Sequence, residues 1–558
     1  MMNIKFSQSK KAWKKISLLT AAMLLSACGG GGGGDSAGVA VNVSSPTDNV
    51  IHADINQNNQ KEFTVSVGDQ SIGAVGQSNA YQVSVTQSNP NAGFTVNLGS
   101  CAQAISNGQS CQFSLSYAPT SDAQYNQKDT LTINVGGTTQ TINITGVKGQ
   151  DFVVFGDSLS DAGVQDQLAA LVKGLHVFLH SLPAWPKVPG TSTDKSTTYT
   201  TPGGNVWVTD LAKLVGASSA TALPNNSHYM QPIKVAYPAW HKIINQSLGG
   251  FHLSIDTESK GLAGNNYAQG GATTTCAGIG LILPQAMFTV LGQLNPQLLP
   301  PGNVPLYMPS PIGPIPQVNG QPAYSCPKAQ SPNESLQPVY DQLENYNQID
   351  SYLSQQPLKH ADPDKVYILW GGANNLFLEV EKHPTAAEAA QVMTQAAGDI
   401  AYDVKYLAEH GAKKFVVLLL PNIGLTPMAI ENNQQTALEK LSVAYNTALS
   451  NMLGALQKQD SSIKIVPVDV FNLMNDMVAN YEMSALGKNY QFDDTTTPAC
   501  KQAPVTKTDP LAALTNSALL CIPQADNKKH LFEDTVHPTA ETHQVIAAKI
   551  AKAMEAFN

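Results

Sequence analysis

At 558 residues the chain is longer than one ordinary domain, and two or three are expected. Only 13% of residues are charged against 42% apolar, and all 32 basic residues are lysine, so the guanidinium fork suited to phosphate clamps is missing and nucleic-acid binding is excluded. The net charge of −9 counts Lys5, Lys10, Lys11, Lys14 and Lys15 of a segment expected to be removed; without these five the chain carries −14 and no basic stripe, which excludes electrostatic retention on anionic membranes.

Residues 1–27 join a lysine-rich start to an apolar stretch, Ile16 to Ala27, that is too short for a permanent spanning helix and reads as a secretory signal peptide. The tetrapeptide Leu25-Ser26-Ala27-Cys28 resembles the lipobox of bacterial lipoproteins, in which Cys28 becomes the lipid-bearing amino terminus and its acyl chains supply membrane affinity. A plain cleavage site is the competing reading. Gly29 to Gly34, within a tether spanning 28–38, favour the anchor because they read as flexible chain just past it. Gly29 after the cysteine, with no Asp, is similar to the pattern sent to the outer membrane of Gram-negative bacteria, so a cell-envelope lipoprotein is expected, on the periplasmic or the surface face.

From 39 to 148 short runs alternate polar and apolar residues: Phe63 to Val67, Tyr81 to Val85, Phe94 to Leu98, Cys111 to Tyr117, Leu131 to Val135 and Thr141 to Ile144. With turn signals at Asn107-Gly108 and Gly136-Gly137, they predict a β-sandwich of roughly seven strands. The run from Cys101 to Pro119 resembles the immunoglobulin-like modules of bacterial surface proteins. It holds no cluster of His, Asp or Glu, and reads as a spacer or as a module binding a surface partner.

After a linker at Gly146 to Gln150, apolar runs alternate with helical periods over 150–558, which predicts α/β architecture with a mostly parallel sheet. The strands expected are Phe152 to Phe155, Val366 to Trp370, Phe415 to Leu420 and Ile463 to Val468, the last at an edge because of Pro467. Helices are expected from about Thr385 to His410, with Val392, Met393, Ala396, Ile400, Val404 and Leu407 on one face, and from about Gln434 to Leu456. An amphipathic helix bearing Ile546, Ile550, Met554 and Phe557 is expected last. Setting Cys28 aside, the cysteines fall in nearby pairs, Cys101 with Cys111, Cys276 with Cys326 and Cys500 with Cys521. Proximity favours these disulfides over metal ligation, since no Cys-x-x-Cys or His-x-x-x-His spacing accompanies them; no metal and no cofactor are expected.

Gly156-Asp157-Ser158-Leu159 follows the first of these strands, so Ser158 sits at a strand end with backbone N–H groups opening outward, as a nucleophile or as a helix cap. Asp534 and His537, three apart before the last helix, put a carboxylate within reach of an imidazole Nδ1–H, or cap the helix that follows. Asn266 to Ala272 places glycines where backbone N–H groups can approach a ligand, and Trp370 to Asn375 follows a strand so that Asn374 stands at a carboxyl edge; each alone reads equally as a glycine turn.

The four blocks, in this order, resemble those of the SGNH or GDSL hydrolases, covering about 150–545. That resemblance implies a three-layer α/β/α fold, Ser158 as nucleophile, His537 as base, Asp534 as its orienting carboxylate, and an oxyanion hole from Ser158 N–H, Gly270 N–H and the Asn374 amide. Asn375 stands where the family usually has Asp. Phe155 to Asp161, Leu420 to Pro427 and Val536 to Thr539 look most like the bacterial phospholipase, lecithinase and haemolysin branch, which implies acyl-ester substrates, lipids foremost. The proline-rich apolar stretch from Cys276 to Cys326 is read either as a lid or acyl-chain wall, or as a packed insertion. A carbohydrate O-acetyl esterase, and a surface adhesion protein with an inactive hydrolase scaffold, are the alternatives.

Overall fold

The computed structural model describes residues 40–44, 49–53, 55, 58–68, 80–163, 199–201, 204–218, 221–225, 264–276, 311–326, 346–380, 382, 384–480, 482–485, 488–502, 521–523 and 529–557. The signal segment 1–27, Cys28, the tether to residue 38 and most of the stretch between Cys276 and Cys326 lie outside the described residues.

The first part is all β: β1 (Val41–Ser44), β2 (Val50–His52), β3 (Asn59–Val67), β4 (Ala80–Tyr81), β5 (Val83–Gln87), β6 (Phe94–Asn97), β7 (Ile105–Ser106), β8 (Ser110–Tyr117), β9 (Lys128–Val135) and β10 (Thr138–Val147). They form two four-stranded sheets, ordered β1-β3-β8-β6 and β2-β10-β9-β5, with β4 and β7 as a short separate pair. Alternation decides what is buried. Phe63, Val65 and Val67 of β3 face Phe113, Leu115 and Tyr117 of β8 and Leu131, Ile133 and Val135 of β9 in one core. Phe63 and Phe113 are register partners with rings stacked at 5.0 Å, a pairing that fixes the slide of β3 on β8. Cys101 and Cys111 are joined, 4.9 Å apart at Cα.

The second part is built on a parallel sheet of β11 (Phe152–Gly156), β14 (Val366–Trp370), β15 (Lys414–Leu418) and β16 (Lys464–Val468), in that order, with the exposed hairpin of β12 (Gln317–Val318) and β13 (Gln321–Pro322) apart from it. Every residue of β11 and β14 is buried, the mark of a sheet covered on both faces. Phe152, Val154, Ile368 and Val416 pack with α1 (Trp207–Leu214), α7 (Val470–Asn480) and α8 (Ala540–Met554). Val153, Phe155, Leu369 and Val417 point the other way, onto α2 (Gln348–Ser354), α4 (Ala386–Glu409) and α6 (Gln435–Gln459). Between these lie α3 (Ala373–Val380) and α5 (Pro427–Glu431). Pro467 lies in β16, which is the edge strand and loses little by lacking an N–H.

Thr385 caps α4 through a reciprocal capping box with Glu388, so this helix starts one residue later than its apolar period suggests. The strand expected to reach Leu420 ends at Leu418. Leu420 N–H and C=O are instead taken by the side chain of Asn446. Phe557 falls in a 3₁₀ turn after α8 rather than on the helix. Cys276 and Cys326 are joined. For Cys500 and Cys521 only the backbone is described, and there Gln502 pairs with Cys521 and Cys500 with Pro523 in an antiparallel ladder.

Candidate active site

The site forms where β11 stops. Gly156 has no room for a side chain, since a Cβ there would lie 2.6 Å from the Trp370 carbonyl oxygen of the neighbouring strand. The buried Gln348 amide brackets the same residue, accepting from Gly156 N–H at 2.9 Å and donating to its carbonyl at 2.8 Å. The chain then turns: Asp157 accepts Leu159 N–H on Oδ1 at 3.1 Å and Ser160 N–H on its carbonyl at 3.0 Å. Ser158 thus lies in a tight turn just past the strand end.

At the other end of the chain, Phe532 and Pro538 form an antiparallel bridge and Glu533 N–H donates to the His537 carbonyl at 2.8 Å, closing the loop that carries Asp534 and His537. Asp534 Oδ1 accepts two backbone N–H groups, from Val536 at 2.8 Å and His537 at 2.7 Å, while Oδ2 lies 2.7 Å from His537 Nδ1. His537 Nε2 lies 2.8 Å from Ser158 Oγ, across 379 positions of sequence. With Asp534 ionised, Nδ1 carries the proton and donates to it, leaving Nε2 to accept from the serine hydroxyl. All three residues are buried, with Ser158 at 8%, Asp534 at 8% and His537 at 9% exposure, so their mutual attraction is little screened.

Burial works to raise the Asp534 carboxyl, but the His537 charge and the loop hydrogen bonds outweigh it and hold the group below its ordinary value. His537 shows the converse. Burial lowers the imidazole, the Asp534 carboxylate more than restores it, and the net shift is upward from 6.5. Two neighbours titrate close by: burial pushes Asp157 up to about 7 against the Leu159 N–H, and pushes Glu533 up to about 7 against the Thr201 hydroxyl. An imidazolium cannot take a proton from Ser158, so with His537 as the base activity is expected to rise with pH as the ring loses its charge. The acid limb of kcat/KM for a p-nitrophenyl ester is therefore expected to have its inflection above 6.5, and an inflection at or below that value would contradict this coupling.

The Asn266–Ala272 segment lies along the outer edge of β11. Val154 N–H donates to the Asn265 carbonyl at 2.9 Å, Tyr267 N–H to the Val154 carbonyl at 2.8 Å, and Gln269 N–H to the Gly156 carbonyl at 3.0 Å. Asn266 Nδ2 reaches the Ser160 carbonyl at 2.8 Å, tying this segment to the serine turn. Gly270, expected to give its N–H to an oxyanion, directs that hydrogen to Asp161 Oδ2 at 2.8 Å. The reason is acceptor strength, for a buried carboxylate outcompetes any neutral oxygen for a nearby amide. The Ser158 N–H and, one residue on, the Gly271 N–H have no hydrogen-bond partner among the described residues. Asn374, in the first turn of α3, donates one amide hydrogen to the Ala272 carbonyl at 2.9 Å, which leaves its second.

The structure also explains Asn375. Its Oδ1 accepts Thr274 N–H at 3.1 Å and its Nδ2 donates to Thr274 Oγ1 at 3.1 Å, while that hydroxyl donates to the buried Asp399 at 2.7 Å. Asp399 already supplies the carboxylate here, and it also accepts from the Tyr324 hydroxyl at 2.6 Å. Asn375→Asp would lose the donor to Thr274 and set a second carboxylate against the first. The expected result is a loss of about 1–3 kcal/mol in folding free energy, read by urea unfolding; an unchanged midpoint would contradict it.

Sequence alone does not single out Gln348, Asp399 or Tyr199, nor the contact of Asp161 with Gly270. Gln348, Asp161 and Asp399 meet these partners across long stretches of sequence. Tyr199 sits in a Thr-rich stretch that reads as loop.

The sequence profile of GDSL-like lipases and acylhydrolases matches residues 152–550, and the chain belongs to that family. Esterase EstA of Pseudomonas aeruginosa is 27% identical over 187 residues, covering 34% of this chain and 26% of that protein. A protein from the trpE-trpG intergenic region of Pseudomonas putida is 29% identical over 187 residues, covering 34% of this chain and 28% of that one. A GDSL esterase/lipase of Arabidopsis thaliana is 26% identical over 157 residues, covering 27% of this chain and 38% of that one. The chain thus spans well under half the length of these curated relatives.

Proposed function

We propose that this chain is a serine ester hydrolase that acts on lipid acyl esters such as phospholipids or lysophospholipids. The observation that carries the reading is the continuous relay from Ser158 Oγ through His537 to Asp534, at 2.8 and 2.7 Å. His537 Nε2 takes the hydroxyl proton as Ser158 Oγ attacks the ester carbonyl. The oxyanion is held by the Ser158 N–H, the free hydrogen of the Asn374 amide and the Gly271 N–H, which replaces Gly270 in that role. His537 then protonates the leaving alcohol, and water or a second alcohol releases the acyl group by the reverse path. Asn374→Ala is expected to lower kcat by about 10²- to 10³-fold with a smaller change in KM, because its second hydrogen matters only once the oxygen is charged.

The envelope setting belongs to the same proposal. Cys28 carries the lipid, the chain is held at the outer membrane, and the β domain is an immunoglobulin-like module that spaces the hydrolase from the membrane or binds a surface partner. A lipid-anchored enzyme meets its lipid substrate at the interface that retains it. Rates on p-nitrophenyl esters from acetate to palmitate, together with lysophosphatidylcholine, test the substrate class. Activity rising with chain length and on the lysolipid supports the reading, whereas activity confined to acetate would instead select the O-acetyl esterase.

A further inference from the structure

We infer that Tyr199 is a positioning residue of the site, and that Gly270 lacks a side chain in order to seat it; the inference rests on the Ser158–His537 reading above. Glycine at 270 is otherwise unexplained. Its φ is not in the left-handed range that demands glycine, and its N–H is committed to Asp161. What fills the place of its missing Cβ is the Tyr199 phenol: a Cβ there would fall 2.1 Å from the Tyr199 hydroxyl oxygen, 2.3 Å from Cζ and 2.5 Å from Cε2. Such approaches lie below the 3.0 Å that real Cβ atoms respect, so any other residue would force the ring to shift from its place.

The same ring lies against the base. Its centroid is 5.0 Å from that of His537, with the planes 37° apart. The two residues after it are fastened to the loop that carries the base. Thr200 Oγ1 donates to the Pro538 carbonyl at 3.1 Å, and Thr201 Oγ1 donates to Glu533 Oε2 at 2.8 Å while accepting Ala540 N–H at 3.1 Å. Tyr199 is thus a spacer with His537 on one side and the Gly270–Gly271 turn on the other. It sets the distance between the group that moves the proton and the group that receives the negative charge. Both must be right in the same instant, and a misplacement of about 1 Å can cost about 10²-fold in rate.

A double-mutant cycle tests this. Tyr199→Ala and Gly270→Ala are each expected to lower kcat by about 10- to 100-fold with KM within about threefold, since what is lost is alignment in the transition state. Combined, they are expected to be no more than about threefold worse than Tyr199→Ala alone, because the added methyl then enters a vacated seat. Tyr199→Phe, which keeps the ring, should recover kcat to within about fivefold of wild type. Effects that multiply in the double variant would overturn the inference, as would Tyr199→Phe behaving like Tyr199→Ala. If Gly270→Ala misfolds, the same coupling is read from thermal midpoints: the double variant should melt above Gly270→Ala, and melting below it overturns the seat. Labelling by a fluorophosphonate separates this from the hydrolase reading. Wild type that labels at Ser158 while the cycle multiplies sinks only the role of Tyr199; wild type that neither labels nor hydrolyses esters sinks both.

Discussion

Ser158→Ala is expected to remove ester hydrolysis, with a fall in kcat of about 10⁶-fold, the loss seen when a triad nucleophile is deleted. The substitution removes a single oxygen whose hydrogen-bond partner is His537 Nε2, so its cost to folding is small, about 1 kcal/mol for the nitrogen left without a partner. Stability and activity therefore separate cleanly. A thermal midpoint close to wild type, with only the residual rate that substrate binding and the oxyanion donors supply, is the expected pair of results. Retention of even a hundredth of wild-type kcat on a p-nitrophenyl ester would show that another group attacks the carbonyl, and the serine hydrolase reading would fail with it. The same variant should still bind substrate, because the proposed oxyanion donors do not include the deleted hydroxyl.

How much of this was legible in the sequence depended on whether the contact was local. Phe152 to Phe155 announced itself as a buried strand because both faces are apolar, and the spacing of Asp534 and His537 put their contact within one turn of chain. The two faces of the sheet followed from alternation, since Val153 and Val154 belong to opposite cores. Gln348 could not be placed this way. Its amide grips Gly156 from 192 positions away, and no pattern around it distinguishes a buried bracket from a helix start. Gly270 illustrates the limit more sharply. A glycine after an edge segment suggests an amide offered to a ligand, but the sequence holds no sign that Asp161 takes that amide or that the Tyr199 ring occupies the empty Cβ position. Asn375 reads in the sequence as a lost charge, yet Asp399, one helix away, places a carboxylate on the same Thr274 hydroxyl.

Asp534→Asn is expected to lower kcat by about 10⁴-fold while leaving the loop folded. The two backbone N–H groups at 2.8 and 2.7 Å, from Val536 and His537, decide how the new amide sits. Only its oxygen can face two donors, so its NH₂ must take the place of Oδ2 and point at His537 Nδ1. That nitrogen must then accept, which moves the ring proton to Nε2, where it faces the Ser158 hydroxyl and cannot receive its proton. Turning the amide over would restore the tautomer only by setting NH₂ against two N–H donors, each clash costing about 1–3 kcal/mol. The pH profile should change as well. Burial depresses the imidazole and the Asp534 carboxylate is the main influence that raises it, so removing the carboxylate should carry the residual acid limb to lower pH. A loss of less than about tenfold in kcat, or an acid limb that stays where it is in wild type, would mean that Asp534 neither orients nor charges the base.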